Sequence, residues 1–261
     1  MRTFCLLLFS IILHSCSTKN EWQLVWNDEF ETNGLPDSSK WNYDTGGHGW
    51  GNNELQYYTK TNLNNARVEN GVLIIEAHKD SIDSNPFTSA RMITKGKGDW
   101  KYGRVEVKAK LPKGRGTWPA IWMLASTNPL KWPDDGEIDI MEHVGYNPGF
   151  IHFSIHTKKF NHISGSQKTD TLMLADAMRL FHVYAMHWNE QSMQWFVDGK
   201  QVFEVLNDGT GADAWPFNQP FHLLLNIAVG GNWGGQKGVD ETVFPQQMQV
   251  DYVRVYQREH P

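Results

Sequence analysis

Cysteine is nearly absent from this 261-residue chain: Cys5 and Cys16 are the only two, and both lie near its start. The rest of the chain therefore has no internal disulfide, and its stability must come from a packed core. The apolar run Phe4–Leu13 spans about ten residues, half of the roughly twenty that a membrane-crossing helix needs. Basic clusters are lacking as well. The 24 Lys and Arg are scattered among 29 Asp and Glu, for a net charge of −5, which leaves no footprint for nucleic acid or another polyanion. A neutral polymer suits such a surface better. Internal repeats, low-complexity tracts and linkers are missing too, and the length fits one large all-β unit.

What is present reads as short strands punctuated by turns. Lys101–Leu111 alternates apolar and charged residues throughout, the pattern of a half-buried strand. Asn70-Gly71 and Asp198-Gly199 stand between apolar runs as hairpin turns. Helical character is confined to Thr171–Phe181, where Asp170 supplies a cap and Leu172, Ala175, Met178 and Arg179 follow without a clear stripe. The expected class is all-β, a sandwich or barrel.

The richest stretch is Gly136-Glu137-Ile138-Asp139-Ile140-Met141-Glu142-His143. Strand alternation puts Glu137 and Asp139 on one face and Ile138 and Ile140 on the other. Plain alternation would turn Glu142 away, but a β-bulge that absorbs Met141 as an extra residue returns Glu142 to the face of the other two acids. Three carboxylates on one face repel one another, and at least one pKa rises, which is the condition for general acid catalysis near neutral pH. Paired carboxylates of unequal pKa are the machinery of glycoside hydrolysis. A flat strand would hold the outer Cα atoms roughly 13 Å apart at about 3.3 Å per residue; inward-leaning side chains on a curved, bulged strand shorten this towards the roughly 5–5.5 Å of a retaining enzyme. The plainer readings are a solvated strand face or a Ca²⁺ ligand set.

Tryptophan shifts that balance. The chain has 12, and Trp118 and Trp122 lie four residues apart, on one face if their segment is a strand. Any single Trp is more often core, yet so many beside Gly and Pro are hard to bury together, and indole faces stack on sugar rings. An aromatic-lined groove is expected.

The chain start has the layout of an export signal: Arg2, the apolar run, then Ser15-Cys16. Leu13-His14-Ser15-Cys16 resembles a bacterial lipobox, with His14 departing from the usual small or apolar residue. The expected organisation is a lipoprotein-type signal peptide over residues 1–15, a short tether over 16–20 beginning at a lipidated Cys16, and a catalytic domain over 21–258. That places the protein outside the cytoplasm, lipid-anchored in the cell envelope or else secreted.

As a whole the chain resembles glycoside hydrolase family 16, and within it the bacterial laminarinase-like endo-β-1,3-glucanases. The resemblance rests on Trp26–Phe30, Gly51–Thr59, Trp118–Leu124, Gly136–Gly145, Phe221–Gly235 and Val250–Tyr256, with Glu-Ile-Asp-Ile-Met-Glu as the bulged form of the family's active-site motif. It implies a β-jelly roll of two curved antiparallel sheets with an open substrate cleft. It also implies Glu137 as nucleophile, Glu142 as acid/base and Asp139 between them, in a retaining double displacement without a catalytic cofactor. Sugar contacts implied by position are Asn52, Arg91, Trp118, Trp122, His156, Asn226 and Trp233. A structural Ca²⁺ is implied at Glu29, the Gly71 carbonyl and Asp251. His152 and His156 face one way on a strand, but no third metal ligand of suitable spacing is evident.

The expected partner is a polysaccharide, with no nucleic acid and no membrane contact beyond the lipid, and the expected state is a monomer. Three alternatives stay open: a same-fold enzyme for mixed-linkage β-1,3-1,4-glucan, one for a galactan, and a catalytically dead glucan-binding protein. Both glutamates are retained, which favours an enzyme. Sulfated galactans call for a cationic cleft that the sequence lacks, and lichenase-type mixed-linkage enzymes usually lack the extra Met141. Laminarin therefore leads.

Overall fold

The computed structural model describes residues 22–258. The expected signal peptide, tether and Cys16 lie outside these residues, as does the first residue of the expected catalytic domain. Among the described residues the regular structure is β-strand with two short 3₁₀ turns and no α-helix. Two large antiparallel sheets face each other. In the first, Gly103–Lys110 and Gln246–Arg258 are central, with Lys200–Leu206 and Ala66–Glu69 towards the edges and Trp22–Asp28 laid against Gln246–Arg258. The second runs Lys168–Met173, Phe150–His156, Glu137–His143, Thr117–Ala125, Phe221–Val229, Arg91–Ile93, Asn42–Asp44. A parallel pair, Gln56–Tyr58 with Phe87–Ser89, stands apart.

Period-two alternation builds the sandwich. On Thr117–Ala125, the side chains of Ile121 and Met123 enter the core, while Trp118, Ala120, Trp122 and Leu124 line an open groove on the other face of the sheet. On Phe221–Val229, Leu223, Leu225 and Ile227 go inward, and Asn226 and Ala228 face the groove. One contiguous apolar core fills the space between the sheets, and a small second cluster of Ile93, Leu124 and Leu224 packs near the groove under Trp122 and Trp132.

Both expected hairpins form. Asn70-Gly71 and Asp198-Gly199 have φ of 52°, 78° and 50°, 79°, the double left-handed conformation of a two-residue turn matched to strand twist. The expected strand over Lys101–Leu111 is found at Gly103–Lys110. The expected helix is not. Lys168–Met173 is an edge strand paired with Phe150–His156, and turns follow it to Phe181. The Phe150–Ile155 backbone supplies a full ladder to this segment, whereas its helical face had no continuous apolar stripe to bury.

Candidate active site

The strand Glu137–His143 carries the bulge that the sequence requires. It pairs regularly with Thr117–Ala125 except between Ile121 and Trp122, and against Phe150–His156 its pairing skips from Asp139↔Ser154 to Glu142↔His152. Ile140 and Met141 thus stand together opposite Phe153, and both are buried in the core. Parity resets behind them, and Glu137, Asp139 and Glu142 all line the groove of about 620 Å³. Gly136, at φ +88° and hemmed by Pro216 and Phe217, turns the chain into this strand where a side chain would collide. From the opposite sheet, buried Trp195 donates its indole N–H to the Asp139 carbonyl at 2.8 Å.

Each outer acid has its own indole donor. Trp132 Nε1 donates to Glu137 Oε2 at 2.8 Å, and Trp118 Nε1 donates to Glu142 Oε1 at 3.0 Å. His156 Nε2 lies 3.3 Å from Asp139 Oδ2 and 3.8 Å from Glu137 Oε1. Burial raises all three acids. Glu137 rises to about 7, chiefly by desolvation and then by the neighbouring Asp139 charge, with His156 and the Trp132 donor pulling it back. Asp139 rises to about 8, again by burial. Glu142 is pushed well above the usual range by burial and by the charges of Asp139 and Glu137, against its one indole donor. Because the three carboxyls share one wall, each negative charge opposes the next and their protons leave as a coupled set. Carboxyls held above the usual range on one wall are the chemistry that proton transfer near neutral pH requires.

The facing wall is a polar network. Trp122 Nε1 donates to Asn226 Oδ1 at 2.7 Å, Asn226 Nδ2 donates to the Tyr58 hydroxyl at 3.0 Å, and Gln56 Nε2 donates to Glu54 Oε2 at 2.7 Å. The Arg91 guanidinium lies 4.7 Å from the ring centroids of both Trp50 and Trp122 and pairs with Asp44 at 3.0 Å. Of the expected sugar contacts, Asn52, Arg91, Trp118, Trp122 and Asn226 line the groove. His156 sits with the acids, and Trp233 packs edge-on against Trp118 at 5.4 Å. The histidine pair does not assemble: His152 faces Glu142 across the ladder and touches Trp233, while His156 turns to Glu137 and Asp139.

Sequence reasoning passed over Trp50, Glu54, Tyr58 and Trp132, all groove-lining. Glu54 and Tyr58 belong to the very segment that flagged Asn52, and alternation from Glu54 through Gln56 to Tyr58 could have found them.

The suggested calcium residues converge through strand register, with Asp28 opposite Val253 and Leu73 opposite Val250. Two carboxylates and a carbonyl are suitable hard donors for Ca²⁺. Both carboxylates are paired, however: Glu29 accepts from Arg254 Nε and NH2 at 2.8 Å each, and Asp251 meets Lys108 Nζ at 2.7 Å. Calcium there would have to exchange with both basic side chains.

Known proteins match this arrangement closely. A β-glucanase of Rhodothermus marinus is 55% identical over 243 residues, 90% of this chain and 85% of that protein. The X-ray structure of the laminarinase from Rhodothermus marinus superposes with a TM-score of 0.90 at 53% identity, covering 92% of this chain and 99% of that one. A variant of a non-specific endo-β-1,3(4)-glucanase, co-crystallised with 1,3-β-D-cellotriosyl-glucose, gives a TM-score of 0.88 at 48% identity over 91% of this chain and 95% of that one. The sandwich is thus the jelly roll of these enzymes. With residues 53–254 matching the model of Glycosyl hydrolases family 16, and with the bulged acid strand in place, the chain belongs to that family.

Proposed function

We propose that this protein is an endo-acting, retaining glycoside hydrolase that cleaves β-1,3-glucan of the laminarin type. The observation that carries the reading is the Ile140–Met141 bulge, which sets Glu137, Asp139 and Glu142 on one groove wall with all three carboxyls raised by burial. In the first step a Glu137 oxygen forms a bond to the anomeric carbon as the glycosidic C–O bond breaks, and Glu142 gives its proton to the departing oxygen. In the second, Glu142 takes a proton from water, the water oxygen attacks the same carbon, and the bond to Glu137 is released. Asp139 holds the charge balance between them. The sugar contacts proposed are Asn52, Arg91, Trp118, Trp122, Asn226 and Trp233, with His156 backing the acids. The groove joins indole rings to amide and carboxylate groups, and a neutral glucan needs no cationic lining, which supports an uncharged sugar chain as substrate.

Proton NMR of the first products from laminarin tests the mechanism. The newly formed reducing end is expected as the β-anomer before mutarotation, among oligosaccharides of mixed length. An α-anomer, or release of a single small product from the start, would remove the retaining endo reading. Glu137→Ser is expected to leave a folded glucan binder without measurable hydrolysis. Mixed-linkage glucan is the second reading, favoured by the likeness to the non-specific β-1,3(4)-glucanase; sizing the products from barley-type glucan decides it.

The proposal extends to an exported monomer tied to the envelope through lipid on Cys16, supported by Arg2, the Phe4–Leu13 run and the Leu13–Cys16 motif. Palmitate labelling that persists in Cys16→Ser would remove the anchor, and light scattering gives the oligomeric state. Structural calcium completes the proposal, and a melting midpoint unmoved by chelator would delete it.

A further inference from the structure

We propose that Glu137, Asp139 and His156 form a site for a transition-metal dication of the zinc class, and that the ion competes with the glucan for the catalytic centre. Only the competition rests on the glucanase reading. The three residues come from neighbouring strands, through the pairing Glu137↔His156 and Asp139↔Ser154. One ligand atom from each lies within 4.8 Å of the others, with His156 Nε2 3.3 Å from Asp139 Oδ2 and 3.8 Å from Glu137 Oε1. An ion bound at about 2.0–2.1 Å in tetrahedral geometry holds its ligand atoms roughly 3.3 Å apart. The cluster is already near that spacing.

A second observation points the same way. Asp139 is only 2% exposed, and its Oδ2, though 3.3 Å from His156 Nε2, is buried and accepts no hydrogen bond of good geometry. Such an atom is costly until a cation or donor meets it. The Trp132 indole holds Glu137 by Oε2, leaving Oε1 on the His156 side. One imidazole and two carboxylates are donor types that zinc takes, and three is the number of protein ligands in an open zinc site, whose fourth position would lie towards the groove. The imidazole also selects against Ca²⁺ and Mg²⁺, which favour all-oxygen shells. An ion there would occupy the Glu137 oxygen that the proposed chemistry needs for attack, so metal and turnover exclude each other.

Equilibrium dialysis with Zn²⁺, together with the visible absorption of Co²⁺ in its place, tests the site without relying on activity. One ion per chain and a tetrahedral Co²⁺ band are expected. His156→Asn and Asp139→Asn, each checked for folding by melting, should weaken binding by at least about tenfold, while Glu142→Gln should retain it. In the active protein, rising laminarin should raise the Zn²⁺ needed for half-inhibition in proportion. Absence of a Co²⁺ band, unchanged binding in folded His156→Asn, equal loss in Glu142→Gln, or inhibition indifferent to laminarin would each overturn the proposal. A chain that shows the Co²⁺ band but does not cleave laminarin would sink the glucanase reading and leave the metal site standing.

Discussion

Two indole N–H groups divide the work between otherwise similar glutamates. Trp132 holds Glu137 and Trp118 holds Glu142, and each bond favours the charged form of its carboxylate. Trp132→Phe keeps the ring and deletes the donor, so the Glu137 pKa, about 7 in the native site, should rise. Because the nucleophile proposed at Glu137 must be ionised, the acidic limb of the kcat/KM profile is expected to move to higher pH; an unmoved limb would detach Trp132 from that role. Trp118→Phe should move the alkaline limb upward instead, since Glu142 would keep its proton longer. The same burial has a stability consequence with a definite sign. A carboxyl whose pKa is higher folded than unfolded binds more protons when folded, so stability falls as pH rises between the two values. For Glu137 that window runs from 4.5, the ordinary glutamate value, to about 7. Glu137→Gln is therefore expected to melt a few degrees above the parent at about pH 8 and level with it near pH 4, an exchange of stability for function. Equal melting at both pH values would contradict the burial assigned to Glu137.

The acid-bearing strand Glu137–His143 shows what can and cannot be read from alternation. Its bulge was legible because Glu142 is out of phase with Glu137 and Asp139 in an otherwise regular apolar and acidic pattern. The prediction at this scale follows from the same count. Deleting Met141 leaves Glu-Ile-Asp-Ile-Glu, which alternates strictly and keeps all three acids on the groove face. Laminarin cleavage is expected to persist at a reduced rate, while loss of one fully buried Met lowers stability by about 2–5 kcal/mol. A folded deletion variant with no activity would show that the bulge does more than correct parity. Elsewhere alternation was silent. Trp132 lies five residues before Glu137, outside the strand, and only the folded path of the Leu130–Gly136 turn brings its N–H to the acid. The helix expected over Thr171–Phe181 gives way at its start to an edge strand, Lys168–Met173, whose side chains beside Phe150–His156 are mostly exposed and polar, and nothing in such a segment announces its partner.

At the scale of the whole molecule, composition was the most legible level. Few cysteines and many turn-bounded strands foretold a sandwich held by its core, and the dispersed charge foretold a neutral substrate. The facing wall of the groove was less legible, since Glu54, Tyr58 and Asn226 meet only when segments separated by more than a hundred residues fold together. Charge supplies the prediction here: with an uncharged glucan, electrostatic steering contributes nothing to encounter. The kcat/KM for laminarin is expected to change by less than about twofold between low and high salt; a steep decline would point to a charged substrate.

Trp195 reaches across from the sheet opposite the groove to grip the Asp139 carbonyl, and it is fully buried in doing so. The strand that bears the three acids is thereby stitched to the layer behind it and cannot loosen by itself. Heating should therefore yield no dormant intermediate, still globular yet idle: thermal inactivation and loss of the tertiary signal ought to trace one curve, and cutting that stitch with Trp195→Phe ought to pull the two apart.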